Sequence, residues 1–506
     1  MGRLAVAAAV AAWSIPLAVL VDSIVPDPYM DEIFHIPQVQ CYCRGDFLTW
    51  DPMITTPPGL YYISLAYVAS LFPGAWASRI AEAFDAFCTT ALLRSTNVIM
   101  AMACGVLVHD LLLCIRPEIG KRKATAFAIL VALYPIHWFF TFLYYTDVAS
   151  LAAVLAMYLS CLKKQFWVSA AFGAFSILLR QTNVMWMIFF AANGAIAHAQ
   201  YLNVKGNVSY KNSELTDESV SKVSDRDNKS AALGLRRRQN SNPINKREVV
   251  AESNKMYTSF TDEIWDAISK LWNSKWEVLI AFIPFAMVLV VFVAFITWNG
   301  GIVLGAKEAH VVSPHFAQLL YFGLVSAVAL LPWHFTPSQV YDLFHWCRKN
   351  KTYSSFSILI ALGLSLFSLH FFSIAHPYLL ADNRHYTFYI WRKVIQVHWM
   401  MKYILVPIYV YSWFSIVNIL GKSQTRVWVL SFVLSVALVL VPAPLVEFRY
   451  YTIPLVILVL HSPMISNGKL LALGFLYAAV DLFTLVMFLF RPFRWQHEPG
   501  TQRFIW

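Results

Sequence analysis

The chain has 506 residues, of which 58% are hydrophobic and 13% are charged, and its net charge is +11. About a quarter of the residues in an ordinary soluble domain are charged, so this composition excludes a string of soluble domains. It favours a polytopic membrane protein with apolar spans of about 20 residues. The basic residues fall mostly in short loops, as the positive-inside bias predicts, and no basic-aromatic module suggests that nucleic acid is bound.

The first predicted element is an apolar run at residues 4–21, which stands between Arg3 and Asp22. Such a run is either a cleaved signal peptide or a signal anchor. Its length and the lack of a clear A-x-A cleavage site favour an anchor, so we predict a first transmembrane helix over residues 1–22. Either alternative puts the following segment, 23–94, on the non-cytosolic side.

This first loop is acidic and contains a second apolar stretch, PPGLYYISLAYVASLF, at 57–72. The stretch is short for a span and rich in tyrosine, which suits a membrane interface, so we expect a juxtamembrane helix there. The seven cysteines form no C-x-x-C pair, which argues against a zinc site or a disulfide framework. One bridge among Cys41, Cys43 and Cys88 is possible, and the sequence leaves it open.

The remaining apolar stretches predict an all-α bundle of about 12–14 transmembrane helices in total. The first part of the bundle, 95–201, holds predicted spans at 95–115, 124–143, 148–162, 166–179 and 184–201. The polar segment 202–276, rich in Ser, Asn and Lys, predicts a cytosolic and largely disordered loop. The second part, 277–506, holds predicted spans at 277–297, 315–332, 353–374, 399–420, 427–442, 453–466 and 470–490.

Polar residues of catalytic type concentrate in the loops predicted on the non-cytosolic face, whereas the cytosolic loops are ordinary basic connectors. The polar loops contain the sequences MDEIFH, WDPMITTPPG, FLYYTD, LLRQTN, NGGIVLGAKEAHVVSPH, HPYLLADNRHYTFYIWRK and VEFRYY. This one-sided distribution predicts a single active site on that face. No spacing of metal ligands stands out, and there is no P-loop, G-x-S-x-G or H-E-x-x-H motif.

Asp31 and Glu32 stand at the start of the first loop. If this stretch is helical, Asp31 and His35 share a face at i and i+4, whereas the adjacent acids point about 100° apart and do not form a coupled pair. The spacing leaves two alternatives open. The acids are either an N-cap favoured by the helix dipole, or a general base and a structural neighbour.

Cations in the non-cytosolic loops run against the positive-inside bias. Arginine binds phosphate through two parallel hydrogen bonds, so these residues are candidates for holding a phosphate or pyrophosphate group. The alternative is that they snorkel to the interface or pair with lipid headgroups. The cations concerned are Lys307, Arg384, Arg392, Lys393 and Arg449, with His385 beside them.

Other charged residues lie within or beside predicted spans. Intramembrane ionisable groups are costly and are often functional, but they can also pair with one another inside the bundle. Both alternatives stay open for Arg94 and for His109 with Asp110. Arg180 and Asp147 end neighbouring spans and can pair with each other.

Several stretches together resemble one family. PYMDEIFHIPQVQCYCRGDFLTWDPMITTPPGLYY, GGIVLGAKEAHVVSPHFAQLLY, HPYLLADNRHYTFYIWRK and the closing RPFRW and TQRFIW are similar to the ER α-1,2-glucosyltransferases that use dolichyl-phosphate glucose. The resemblance covers nearly the whole chain apart from 202–276. One departure is Ala306, where the family's fourth-loop motif carries Asp.

The resemblance implies a GT-C-type membrane bundle and an inverting glucosyl transfer. The donor would be dolichyl-phosphate glucose, and the acceptor would be the diglucosylated oligosaccharide on dolichyl diphosphate, within the endoplasmic reticulum membrane and its lipids. The family uses a carboxylate of the first luminal loop as base, and it requires no cofactor; metal dependence stays open. Sugar phosphate is a good leaving group, so a second carboxylic acid is not needed, unlike in glycoside hydrolysis.

These arguments give Asp31 as the expected base, with Glu32 second. The expected substrate-binding residues are His35, Trp50, Asp51, Tyr145, Asp147, Arg180, Gln181, Lys307, His310, Asp382, Asn383, Arg384, His385, Tyr386, Arg392 and Arg449. A transporter or flippase is the main alternative class, but transporters place polar groups near the midplane of repeated halves. A third alternative is a membrane regulatory protein that uses the basic segment 236–247.

Overall fold

The computed structural model describes residues 2–77, 84–221, 259–349, 351–496 and 500–506, with the backbone alone at 206–221 and 309–310. Nearly every regular element in this part of the chain is an α-helix. The helices of the first half are α1 Gly2–Ile24, α2 Glu32–Cys43, α3 Gly59–Leu71, α4 Pro73–Ala77, α5 Thr90–Ile115, α6 Lys121–Ala132, α7 Pro135–Phe140, α8 Thr146–Leu162, α9 Phe166–Leu179 and α10 Asn183–Ser221.

The second half continues the pattern. Its helices are α11 Phe260–Asn273, α12 Lys275–Asn299, α13 Ala317–Ala329, α14 Leu331–His334, α15 Pro337–Lys349, α16 Lys351–Phe371, α17 Pro377–Ala381, α18 Tyr386–Ile390, α19 Met401–Ile404, α20 Val406–Gly421, α21 Arg426–Leu440, α22 Thr452–His461 and α23 Asn467–Phe490. Short 3-10 helices stand at Lys307–His310 and Phe448–Tyr451, and a π-helical turn at Trp391–Ile395.

Six of the described helical segments are long and apolar enough to cross a membrane. They are Gly2–Ile24, Thr90–Ile115, Lys275–Asn299, Lys351–Phe371, Met401–Gly421 and Asn467–Phe490. Each coincides with a predicted span, which confirms the all-α polytopic class. Shorter apolar helices stand at or within five more predicted spans, as at Thr146–Leu162 and Arg426–Leu440. The total of 12–14 crossings stays a prediction.

The chain divides into two compact units, one made of residues 1–189 with 284–506 and the other of residues 190–283. In the larger unit, α1 packs against α5 and α6, α8 lies between α5 and α9, and α13 packs against α20. In the smaller unit, the Asn203 amide donates hydrogen bonds to the Lys270 carbonyl and to Ser274 Oγ, both at 3.2 Å. This contact joins α10 to the end of α11.

The predicted cytosolic, largely disordered loop over 202–276 contains helix at both ends of that range, and the rest of the prediction stays untested. Helix α10 continues to Ser221, and α11 occupies Phe260–Asn273. The average composition of the loop concealed the signals of α11, which are the capping Ser259 and a stripe of apolar residues at helical spacing. Residues 222–258, where the basic segment 236–247 falls, lie outside the described part of the chain.

The first loop also differs from expectation at its far end. Helix α5 begins at Thr90 rather than at residue 95, because Thr89 caps it by accepting a hydrogen bond from the Leu92 N–H at 3.3 Å. Arg94 therefore lies within the helix. Its charge is compensated by the carboxylates of Glu32 and Asp22, as described below.

Two features hold the first loop together. A disulfide joins Cys43, the last residue of α2, to Cys88 just before α5, while Cys41 is free. The predicted juxtamembrane segment forms α3, which packs against α2 and α9. A Cβ atom on Gly59 would come within 2.5 Å of the Leu178 carbonyl oxygen, so the start of α3 rests directly on the end of α9. Whether α3 lies on the bilayer stays a prediction.

Candidate active site

Asp31 lies in the turn between α1 and α2, directly after Met30, whose φ of +57° belongs to the left-handed region. It occupies the N-cap position of α2, but its side chain makes no capping hydrogen bond. Instead, Oδ2 accepts a hydrogen bond from Nη1 of Arg449 at 3.0 Å, and the backbone N–H donates to the Tyr145 hydroxyl at 3.2 Å. The side chain is 41% exposed, so a substrate hydroxyl can reach the carboxylate.

Glu32, the next residue, has entirely different surroundings. It is fully buried, and its two carboxylate oxygens accept hydrogen bonds from Nε and Nη2 of Arg94 at 2.9 and 2.6 Å. The backbone N–H groups of Tyr29 and Tyr144 donate to the same carboxylate. Arg94 also bonds Asp22 at 2.9 Å. These contacts make Glu32 a junction of α1, α2 and α5, and the geometry favours Asp31 over Glu32 as the candidate base.

The partner of Asp31 is Arg449, a mostly buried arginine (17% exposed) on the short helix Phe448–Tyr451. Nε of Arg449 donates to Glu447, and its guanidinium carbon lies 5.6 Å from the ring centre of Tyr145 and 5.9 Å from that of Tyr450. Cations over aromatic faces are attracted by the ring quadrupole. Nη2 makes no hydrogen bond with any described residue, so one nitrogen of the guanidinium is left for a ligand.

A second arginine, Arg180, also stands close to the Tyr450 ring. Arg180 pairs with Asp147 at 2.9 Å, donates from Nε to Thr146 Oγ1 at 3.2 Å, and lies 5.6 Å from the centre of the Tyr450 ring. The pairing of Arg180 with Asp147 is thus real. The pair still lies beside the Asp31 cluster, because Arg180 and Arg449 face the same tyrosine.

His35 lies one helical turn after Asp31, as the i, i+4 spacing predicts. Its Nδ1 shares a hydrogen bond of 2.6 Å with the Tyr61 hydroxyl, and the Trp50 ring stands 6.1 Å from the Tyr61 ring. The Asp51 N–H is held by Gln38 at 2.8 Å, which fixes the turn that carries Trp50. The partly exposed His35 and Trp50 therefore both rest on the buried Tyr61, and this set of rings begins one helical turn after Asp31.

The charges of the cluster set the protonation of its members. Burial acts to raise the pKa of Asp31, but the neighbouring Arg449 outweighs it and holds that pKa below the ordinary value. Burial lowers the pKa of His35 to about 4, which the attraction of Asp31 only partly opposes. At neutral pH the site therefore presents a carboxylate beside an uncharged imidazole.

The dense ADNRHY stretch is mostly engaged in internal contacts. Nε and Nη2 of Arg384 donate hydrogen bonds to the Asp382 carboxylate at 2.8 and 2.7 Å. Nη1 of Arg384 donates to Gln502 Oε1 at 3.1 Å. The guanidinium also lies 4.8 Å from the Trp495 ring, whose N–H donates to Asn383 at 2.8 Å. Arg384 thus joins this loop to the last residues of the chain.

The same loop forms a short backbone pairing with the end of the chain. His385 pairs as an isolated β-bridge with Ile505, the Tyr386 N–H donates to the Ile505 carbonyl at 3.0 Å, and His385 Nδ1 shares a 3.2 Å hydrogen bond with the Trp506 carbonyl. His385 is also close enough to Asp31 to help lower its pKa. Within this loop, His385 is therefore the residue whose charge acts on Asp31.

The fourth loop docks on the first. The Ala306 N–H donates to the Pro52 carbonyl at 2.9 Å, and Ala306 has a φ of +45°. Left-handed backbone favours Gly, Asn and Asp, which would give a conformational reason for the Asp that the family resemblance implies there. Lys307 bonds the Asn299 carbonyl at 2.6 Å and so closes its own loop. The side chain of His310 lies outside the described residues.

Two further candidates stand apart from the Asp31 carboxylate. Gln181 donates to the Thr55 carbonyl at 2.8 Å and ties the loop before α10 to the first loop. Arg392 is exposed and lies 5.8 Å from the Phe388 ring. Its exposure agrees with the snorkelling alternative.

His109 and Asp110 form a pair with Arg3 near the other end of α5.

Three residues of the cluster were absent from the predicted site, namely Tyr61, Glu447 and Tyr450. Glu447 and Tyr450 flank Arg449 within VEFRYY, so that motif contained the signal, whereas Tyr61 was assigned to the membrane interface. Among the described residues no group of three or more His, Cys, Asp or Glu side chains is placed to hold a metal ion.

Fold and site together define a multi-spanning, all-α membrane protein with a carboxylate–arginine cluster at one end of its bundle. The chain belongs to the DIE2/ALG10 family, whose model matches residues 25–460.

Similar proteins carry one name. The chain is 51% identical to the Dol-P-Glc:Glc(2)Man(9)GlcNAc(2)-PP-Dol alpha-1,2-glucosyltransferase of Arabidopsis thaliana over 100% of both chains. It is 33% identical to the protein of that name from Homo sapiens, over 95% of this chain and 93% of the human one. The Yarrowia lipolytica protein of that name is 29% identical over 95% of this chain and 93% of its own length. No solved structure matches the chain.

Proposed function

We propose that this protein transfers glucose from dolichyl-phosphate glucose to the 2-hydroxyl of the terminal glucose of Glc2Man9GlcNAc2-diphosphodolichol. The product carries a third glucose in α-1,2 linkage, which completes the lipid-linked donor for protein N-glycosylation. The full-length similarity to proteins named for this reaction supports the proposal. The observation that carries it in the structure is the reachable Asp31 carboxylate bound to Arg449.

Asp31 is the proposed general base. The oxygen of the acceptor 2-hydroxyl forms a bond to C1 of the donor glucose while the bond from C1 to the phosphate oxygen breaks, with inversion at C1. Asp31 takes the hydroxyl proton, and dolichyl phosphate leaves with the bond electrons. A positioned base contributes about 10²–10⁴-fold to such a reaction. Glu32 cannot take this role, because its carboxylate is fully buried and bonded to Arg94.

The phosphate of the donor requires positive charge as it leaves. Nη2 of Arg449 makes no hydrogen bond with the described residues, and Arg180 lies near the same Tyr450 ring as Arg449. We assign these two arginines to the leaving phosphate, because preorganised cations stabilise charge where it develops. Trp50 and His35, which are partly exposed, form the proposed surface for the acceptor sugar, and the buried Tyr61 supports them. Asp51, Tyr145, Asp147 and His385 support this arrangement through their neighbours.

The lipid tails of both substrates place the reaction at a membrane surface. We propose that the protein resides in the endoplasmic reticulum membrane with the Asp31 end of the bundle in the lumen, as the family resemblance implies. The C-terminal segment lies on the same face, because the Tyr29 hydroxyl donates to the Arg503 carbonyl at 2.7 Å. Lys307, Arg392 and the 382–386 loop remain candidates for contacts with the larger acceptor.

Reconstitution of the purified full-length chain in liposomes tests the proposal. With dolichyl-phosphate glucose and the diglucosylated lipid, we expect the acceptor to gain one hexose, which mass spectrometry of the released oligosaccharide detects. α-1,2-glucosidase digestion should remove it again. Parallel reactions with and without a chelator decide the metal dependence. Movement of either lipid across the bilayer without hexose transfer would instead support a flippase.

A further inference from the structure

Helix α11 presents an exposed apolar stripe, made of Trp265, Ile268 and Trp272. These side chains are 73%, 48% and 69% exposed, and their i, i+3, i+7 spacing puts them on one face of the helix. Glu263 and Ala267 are buried, and at about 100° per residue they lie on the opposite face. One side of α11 is thus packed against the protein, while the stripe is left open.

The stripe continues onto the spanning helix α12. Nζ of Lys275, the first residue of α12, lies 4.3 Å from the centre of the Trp272 ring and 6.0 Å from that of the Trp276 ring. Trp276 is itself exposed, and so are Leu279 and Ile280 in the next turn of α12. Because the exposed apolar side chains of a spanning helix face lipid, the stripe adjoins a surface that already lies in the membrane.

Helix α12 also fixes the depth of this junction. Its 25 residues measure about 38 Å, which exceeds the hydrocarbon core of about 30 Å, so Lys275 and Glu277 at its start stand at headgroup level. Helix α11 ends at Ser274, whose backbone (φ −112°, ψ 26°) leaves the helical region, so its axis need not follow that of α12. Asn203, which donates to Ser274 Oγ at 3.2 Å, stands two residues beyond the predicted span 184–201.

The residue types of α11 suit a membrane surface. The large ring of tryptophan meets the acyl chains while its indole N–H reaches water, and tryptophan is therefore enriched at membrane interfaces. The charges of the helix do not favour anionic lipids, because Asp262, Glu263 and Asp266 outnumber its one basic residue, Lys270. The attraction is therefore apolar rather than electrostatic.

We propose that α11 lies on the surface of the bilayer with its stripe inserted among the lipids. Trp265, Ile268 and Trp272 reach the boundary between headgroups and acyl chains, about 5–10 Å deep. The partner of this surface is a neutral lipid surface, and α11 is an interfacial helix that leads into the span α12. This placement is independent of the chemistry proposed for Asp31.

A fluorescent label on the stripe tests this placement in the full-length protein, reconstituted in nanodiscs of phosphatidylcholine. Ile268→Cys carries a nitrobenzoxadiazole label, and the signal that the wild type takes up at its own cysteines is subtracted. A lipid with a nitroxide near the headgroup end of its acyl chain should quench this label more strongly than aqueous iodide does. Asp266→Cys, which is partly exposed and about 160° around the helix from Ile268, should give the reverse order.

Removal of the two tryptophans attributes the placement to the stripe. Trp265→Gln combined with Trp272→Gln in the labelled Ile268→Cys protein should lower the quenching by lipid and raise the quenching by iodide. Trp298→Gln, which removes another exposed indole near the far end of α12, should keep the original pattern. Partial replacement of phosphatidylcholine by phosphatidylserine should also leave the pattern unchanged.

Four results would overturn the proposal. Stronger quenching of the Ile268→Cys label by iodide than by lipid would show that the stripe faces water. Protection from both quenchers would show that a second copy or another protein covers it. Lipid quenching that needs phosphatidylserine would show electrostatic attachment, and an unchanged pattern without Trp265 and Trp272 would show that the stripe does not hold the helix at the surface.

Discussion

At the scale of single residues, two adjacent carboxylates in one turn have opposite environments. The Asp31 side chain is two-fifths exposed and pairs with Arg449. Glu32 is fully buried, and both of its carboxylate oxygens accept hydrogen bonds from Arg94. The same chemical group, a carboxylate, can therefore be placed for chemistry at one position and hold helices together at the next. The difference lies in the groups that each side chain meets after folding.

Substitution of the two acids should separate these roles. Asp31→Asn should lower the transfer rate by about 10²–10⁴-fold and leave the unfolding temperature nearly unchanged, because Asn keeps the volume of the side chain. Glu32→Gln should destabilise the protein by about 3–5 kcal/mol, since it leaves Arg94 buried with an incomplete partner. Transfer assays and thermal unfolding of both variants provide the measurement. An active Asp31→Asn with a folded, inactive Glu32→Gln would assign the base to Glu32.

Arg449 should control the pH dependence of transfer. Its charge lowers the pKa of Asp31, so the base stays ionised well into the acidic range. In Arg449→Gln that attraction is lost while the effect of burial remains, so the pKa of Asp31 should rise. The acidic limb of kcat/KM should then move to higher pH, besides any fall in kcat. The exposed Arg348→Gln on α15 should keep the wild-type limb, and an unmoved limb in Arg449→Gln would contradict the role of Asp31 as base.

At the scale of elements, the position of Tyr61 and Arg180 in the site depends on how α3 packs against α9. Tyr61 stands on the first turn of α3 and holds His35, while Arg180 follows the last residue of α9. The close approach at Gly59 therefore sets the separation between the aromatic surface and the second arginine. The disulfide at Cys43 holds the other end of α2.

Gly59→Ala should disturb this arrangement. The added Cβ would meet the Leu178 carbonyl, and backbone atoms at a helix end cannot move aside as a flexible side chain can. We expect a loss of about 1–3 kcal/mol in the free energy of unfolding together with slower transfer. Gly74→Ala in α4 is the matched control, because nothing lies within 4 Å of its Cβ position. Equal stability of the two variants in thermal unfolding would contradict the proposed close packing of Gly59 against Leu178.

At the scale of the whole molecule, the two ends of the larger unit meet beside Asp31. The Tyr29 hydroxyl donates to the Arg503 carbonyl and accepts from the Arg503 N–H, both at 2.7 Å, and the Tyr29 ring packs edge-on to Phe488 at 5.8 Å. Tyr29 also donates its backbone N–H to Glu32. The C-terminal segment thus braces the turn that carries both acids.

Tyr29→Phe should test this bracing. It retains the ring and removes only the hydroxyl, which leaves the Arg503 backbone groups unsatisfied at a cost of about 1–3 kcal/mol. We expect a lower Tm and reduced kcat, because the turn before Asp31 loses its support. Tyr62→Phe removes a hydroxyl from a half-exposed ring on α3 and should change neither quantity. A Tyr29→Phe protein with wild-type kcat would show that the brace does not position Asp31.

Much of this organisation follows from local sequence. Long apolar runs predict spanning helices because a bilayer leaves no other way to satisfy the backbone, and six of the predicted spans correspond to helices long enough to cross. The i, i+4 placement of Asp31 and His35 likewise follows from helical periodicity alone. The sequence did not indicate α11, whose apolar stripe lies in a polar segment, or the start of α5 at Thr90, five residues before the predicted span.

The tertiary structure decided which charges meet. Asp31 and Arg449 are separated by 418 residues in the chain and by 3.0 Å in space, and Tyr29 and Arg503 meet over a still longer separation. No local pattern encodes such a contact, because pairing of distant charges depends on how all the intervening helices pack. By itself the sequence determined a membrane bundle, a family and a set of polar loops. Only the packing of the helices decided that Glu32 is buried against Arg94 while its neighbour Asp31 stays within reach of a substrate.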